Sequence, residues 1–203
     1  MRLGDNIKVP FYKFLDGEVS LTEFENWIYD NEAQIALAVP AFHFDLINFN
    51  YRQPNARDLI YALIYYSIID QADYAQWQLK RLLTTIINNN KWEAAASTLY
   101  WEFWDDNARF GFLMQLANYS AVILFPSERF GLSGMVGTKR DKVVSKLLYP
   151  EIVREAEAIL VSIDNNEIQI TGEKEYVDIR SGSKLSKNFQ QILLDVRAML
   201  NDQ

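Results

Sequence analysis

His43 is the only histidine in 203 residues, and cysteine is absent. Composition therefore excludes a two-histidine metal site, a thiolate nucleophile and a disulfide. For His43 to act as a general base, the fold would have to bring it a serine nucleophile and an orienting acid. The elbow G-x-S-x-G is missing, and the nearest stretch is Leu132-Ser133-Gly134. A packed or surface histidine between Phe42 and Phe44 is the simpler reading. Gly131, Gly134 and Gly137, followed by Thr138, Lys139 and Arg140, could cradle an anion at a helix start. Their spacing matches neither the P-loop nor G-x-G-x-x-G, so a connecting loop is the plainer account. Glu102, Asp105 and Asp106 could gather a divalent metal for hydrolysis. That chemistry usually also needs a basic groove, and the one basic cluster is Lys139, Arg140, Lys142 and Lys146. A capped turn with solvated acids explains the same residues. The chain is expected to carry no catalytic residue, no metal and no cofactor.

What the chain has in quantity is aromatic and acidic side chains: 12 Phe, 11 Tyr and 5 Trp, with 27 acids against 20 Lys and Arg. Trp92, Tyr100, Trp101, Phe103 and Trp104 crowd one segment. Consecutive positions cannot all face one side of a helix, so some rings meet a second layer or lie open. Open Trp beside acids is the material of protein-binding hot spots, and a thick core is the alternative. Asp16, Glu18, Glu23, Glu25, Asp30 and Glu32 surround the first expected helix. Glu23 has a capping role and Asp16 a turn role. The candidate partner-binding residues are therefore Glu18, Glu25, Asp30, Glu32, Trp101 and Trp104. A net charge of −7 argues against nucleic acid, which needs a positive field. It suits a basic protein partner, and equally a merely soluble surface.

The elements that must position these residues read as mainly helical. Ser20 and Glu23 form a capping box, so a helix starts at Leu21, with Leu21, Phe24, Trp27 and Ile28 inward. A short helix follows over about residues 32–39 and stops before Pro40. Phe42 to Tyr51 fits strand or helix, with helix preferred from its neighbours. Asn55 is placed to cap a helix through Ile69, apolar nearly all round and therefore central. The next helix runs from about Asp73 to Ile87 and ends at Asn88-Asn89-Asn90. Residues 91–104 read as another helix, while 110–125 could be a buried helix or a strand. Lys139 opens a helix to about Leu148, and Pro150 is the first position of a second, ending at Asp164-Asn165-Asn166. Ile168-Gln169-Ile170-Thr171 and Tyr176-Val177-Asp178-Ile179 alternate about a turn with Gly172, which reads as a hairpin. A last helix holds Leu185, Phe189, Ile192, Leu193, Val196 and Leu200. The fold class is mainly α, α+β overall: an antiparallel helical assembly with a small β-hairpin near residues 168–179. A helical subdomain over 1–90 and an α+β subdomain over 91–203 are expected, packed as one unit.

The segment from Phe11 to Glu32, FYKFLDGEVSLTEFENWIYDNE, with FDLINFNY after it, resembles the opening of small bacterial immunity-type proteins, which neutralise toxins from neighbouring cells. It covers about a quarter of the chain. The resemblance implies a non-enzyme that binds one protein tightly, and it assigns no toxin-contacting residue. The opening residues show no secretory signal, and the longest uncharged stretch, 110–125, is too short to span a bilayer. The sequence thus points to a cytoplasmic protein-binding module, in its most concrete form an immunity protein that occludes a basic toxin, with no nucleic acid or membrane partner. A carboxylate or phosphate-handling hydrolase and a self-associating scaffold, forming homo-oligomers through Trp101 to Trp104, are the alternatives.

Overall fold

The computed structural model describes residues 3–88, 92–101, 110–124 and 138–180, with Gln191 and Leu194; of residues 122–124, 138–145 and 147 only the backbone is described. Helices account for most of it, and the β structure among the described residues is one small antiparallel hairpin, as the sequence predicts. The chain divides into two compact units, residues 1–74 and 75–203.

The first unit opens with α1 (Asp5–Leu15), an element that the sequence pattern hides because Pro10 sits inside it. Its apolar stripe, Ile7, Phe11, Phe14 and Leu15, is buried. That burial outweighs the one backbone bond Pro10 cannot make. The helix ends in a Schellman motif. Gly17 takes φ +78, Gly17 N–H donates to the Phe14 carbonyl, and Glu18 N–H donates to that of Lys13. Helix α2 (Leu21–Asp30) starts at the predicted capping box: Glu23 N–H donates to Ser20 Oγ at 3.2 Å and Ser20 N–H to the Glu23 carboxylate at 2.8 Å. Helices α3 (Glu32–Ala38) and α4 (Pro40–Ile47) follow, so the ambiguous aromatic segment is helical.

Helix α5 (Ala56–Leu63) departs from expectation at both ends. Asn55 stands at its N-cap in the left-handed region and its side chain makes no cap bond. Its φ of +59, which Asn tolerates, turns the chain instead. The helix continues as a π-turn over Ile64–Ile68. It is not central: Ile60 and Ile64 are buried, but Leu59, Tyr66 and Ser67 are exposed. The core is aromatic, with Phe24 stacked on Phe14 at 4.2 Å and within 6 Å of both Phe11 and Trp27. Arg57 lies over the Phe14 ring at 4.7 Å and donates to the Phe14 and Val19 carbonyls.

The division between the units falls within α6 (Gln71–Ile87). The second unit continues with α7 (Trp92–Leu99) and, after a 3-10 turn at Gly111–Leu113, α8 (Met114–Leu124). The undecided segment 110–125 is thus helical as far as it is described. Helix α9 (Thr138–Asp164) is one helix where two were expected, with Pro150 inside it. Leu148, Ile152, Ala156, Ile159 and Ile163 form a single fully buried stripe across the proline. Burying them at about 1.5–3 kcal/mol per large side chain exceeds the roughly 3 kcal/mol an interior proline costs. Asn166, at φ +60, closes α9 with a second Schellman motif: its N–H donates to Ile163, and Glu167 N–H donates to Ser162. Strands β1 (Ile168–Ile170) and β2 (Tyr176–Asp178) pair in the register Ile168–Asp178, Gln169–Val177 and Ile170–Tyr176. The expected last helix lies largely outside the described residues.

Candidate functional site

Seven acids and no Lys or Arg occur between Lys13 and Arg52. That interval contains α2, α3 and α4, which pack on one another. Acids in the first unit divide by what they do. Asp5 and Asp73 flank Lys8 at 3.2 and 3.0 Å. Asp16 accepts from the buried Tyr74 hydroxyl at 3.2 Å. Burial, then the charge of Asp16, pushes that hydroxyl up from its ordinary pKa. Asp70 caps α6 by accepting from the Ala72 and Asp73 N–H groups. Glu23 caps α2, and the Ser20 hydroxyl beside it holds its carboxyl below the usual range.

The four acidic candidates occupy a different kind of position. Glu18 is exposed in the turn after α1, Glu25 is half-buried on α2, and Asp30 is exposed at the end of α2. Glu32 opens α3, and its carboxylate lies 3.5 Å from His43 Nε2 on α4. That nitrogen is itself buried without a hydrogen-bond partner. His43 therefore stands against an acid, with no serine hydroxyl bonded to it among the described residues. Glu25, Asp30 and the exposed Asp45 make no hydrogen bond or ion pair within the described residues. Acids left unpaired keep their full field for a partner.

Apolar side chains on these same helices are more exposed than the sequence suggests. Leu37 on α3 is 84% exposed, Phe44 on α4 72% and Tyr29 on α2 45%. Ile35, Val39 and Leu46 take the buried sides of α3 and its junction with α4. Leu37 and Phe44 are left pointing out, and Ala33, Pro40 and Ala41 are exposed with them. Pattern reasoning did not foresee either exposure. The usable signal was the lack of a cation anywhere near an Ala-rich, Phe-rich helical pair.

In the second unit, Trp101 is 51% exposed, with its ring edge-on to Tyr100 at 5.2 Å. Trp104, Glu102, Asp105 and Asp106 lie outside the described residues, as does the loop up to Gly137. Lys139 and Arg140 stand in the first turn of α9, with only their backbone described. Several charged groups here have partners. Lys80 pairs with Asp164, Arg154 with Glu151, and Arg180 with both oxygens of Asp178. Burial raises the Glu155 carboxyl, and Arg180 opposes that shift. A cavity of about 320 Å³ beside α6 is lined by Trp77, Lys80, Arg81, Thr84, Thr85 and Asn88, with no acid or histidine among these described residues. No group of three or more His, Asp or Glu is placed to hold a metal ion among the described residues. No helix among them is long and apolar enough to cross a membrane. No protein-family model, no curated protein and no solved structure matches this chain.

Proposed function

We propose that this chain is a cytoplasmic protein-binding module that occludes a basic protein, most concretely an immunity protein against a basic toxin. One observation carries the reading: a cation-free run of three packed helices bears unpaired acids, Glu25, Asp30 and Asp45, among exposed apolar side chains. An apolar centre with a charged rim is the anatomy of a tight, electrostatically steered interface. Its mechanism needs no chemistry. The acids speed the approach of a cationic surface, and burial of the apolar groups slows its departure. The immunity-type resemblance, residues 11–32 and 44–51, covers α2 and the end of α4.

Capture of partners by the tagged full chain, washed at low and at high salt, tests the reading. A stoichiometric basic protein released at high salt is expected. Changing Glu18, Glu25, Asp30 and Glu32 together to Lys should then slow its association by about tenfold or more, since steering by charge is worth at least that. An acidic captured protein, or an unchanged association rate, overturns the assignment. The half-exposed Trp101 favours one second reading, self-association. Sedimentation of the wild-type chain against Trp101→Ser tests it, and a strict monomer contradicts it.

A further inference from the structure

We propose that the outward sides of α3 and α4, anchored by Leu37 and Phe44, form the docking surface, and that its occupant is a basic protein segment presenting apolar side chains flanked by Lys or Arg. This rests on the binding reading above and names the surface and the chemistry it selects. Leu37 and Phe44 are seven residues apart along two short helices, which keeps their Cα atoms within about 15 Å. One short segment can cover both. Large apolar side chains this exposed lose their contact with water only when a partner covers them. Each is worth about 1.5–3 kcal/mol when fully buried, enough to act as an anchor.

The charges nearby decide which partner. Glu32 starts α3 and Asp45 lies beside Phe44, both exposed. No Lys or Arg lies on α2, α3 or α4. A second copy of this chain would set acids against acids, and an anionic lipid surface would be repelled in the same way. A cationic segment meets no Lys or Arg on these three helices. His43 precedes Phe44 in the chain, and its Nε2 is buried 3.5 Å from the Glu32 carboxylate.

The test titrates the isotope-labelled full chain with two peptides of equal charge: a Leu/Lys amphipathic helix about five turns long and an oligolysine. The Leu/Lys peptide should bind at least about tenfold more tightly than oligolysine. The largest amide shifts should fall in α3 and α4. The double variant Leu37→Ser/Phe44→Ser should bind both peptides alike, and its exposed positions leave folding intact. Trp101→Ser should keep the wild-type preference. Equal binding of the two peptides by the wild-type chain overturns the anchors while leaving the acidic reading standing. Binding of neither peptide overturns both. Self-association that the double variant abolishes assigns the face to a second copy and also overturns the proposal.

Discussion

Residues 1–74 hold 5 Lys and Arg against 11 Asp and Glu, whereas residues 75–203 hold 15 against 16. Almost the whole net charge thus belongs to the first unit. Both units pair some acids, in the second Asp164 with Lys80, Glu151 with Arg154 and Asp178 with Arg180. Both also leave some exposed acids without a side-chain hydrogen bond or ion pair among the described residues, in the second Glu93, Glu157 and Glu175. The first unit leaves Glu25, Asp30 and Asp45 unpaired on helices with no cation. Exposed surface pairs add little stability, so the near-balanced charge of the second unit is that of an ordinary solvated surface. An unbalanced surface does nothing for the fold and exerts a long-range field. The difference teaches where to look for a partner.

Both units close a long helix with the same motif, yet with different residues. Gly17 supplies the left-handed position after α1, and Asn166 supplies it after α9.

The largest effect that could sharpen this comparison lies in the aromatic core of the first unit. Phe24→Ala removes the ring stacked on Phe14 and should cost about 3–5 kcal/mol in denaturant unfolding. Ile152→Val, on the α9 stripe, should cost only about 0.5–1.5 kcal/mol, because it removes one methylene. Next come the helix ends. Gly17→Ala forces a side chain into the left-handed region and should cost about 1–2 kcal/mol. Asn166→Gly should be neutral or stabilising by a few tenths of a kcal/mol, since the position favours Gly. Equal costs at the two positions would break the parallel between the motifs. Ser20→Ala should cost about 1 kcal/mol by removing the cap of α2.

The smallest effects are pH-dependent. The Glu23 carboxyl is held low by the Ser20 hydroxyl, and the Asp178 carboxyl by Arg180. A lowered carboxyl stabilises the fold above its unfolded pKa and loses that contribution as pH falls through the folded value. The stability gap between wild type and Ser20→Ala should therefore narrow below the ordinary Glu range. Glu155 runs the other way. Its raised carboxyl favours the protonated folded form, so its contribution improves as pH falls from neutral into the acid range. Glu155→Gln should flatten that trend in thermal unfolding followed against pH.

Much of the fold was legible because local chemistry fixes it. The Ser20–Glu23 box, the alternation of Ile168-Gln169-Ile170 and the Asn-rich stop after Asp164 each state a boundary within a few residues. The errors came where tertiary burial overrides a local rule. Pro150 reads as the first position of a new helix, yet it lies inside α9, whose buried stripe carries it through, and Pro10 lies inside α1 in the same way. Asn55 has the right type for a cap, but its backbone adopts the one conformation in which it turns the chain instead. The capping role of Glu23 was legible from its spacing to Ser20. The exposure of Leu37 and Phe44 was not legible, since both look like core residues in a periodic pattern. Only the observed burial of Ile35, Val39 and Leu46 shows which side of each helix is left over.

The central claim is that α2, α3 and α4 form the face that meets a basic partner. Hydrogen exchange of the full chain, alone and with the basic protein it captures, tests this most directly. The account predicts slowed exchange concentrated in residues 21–47 and little change in residues 92–101. Protection confined to residues 92–101, with 21–47 unaltered, would contradict it.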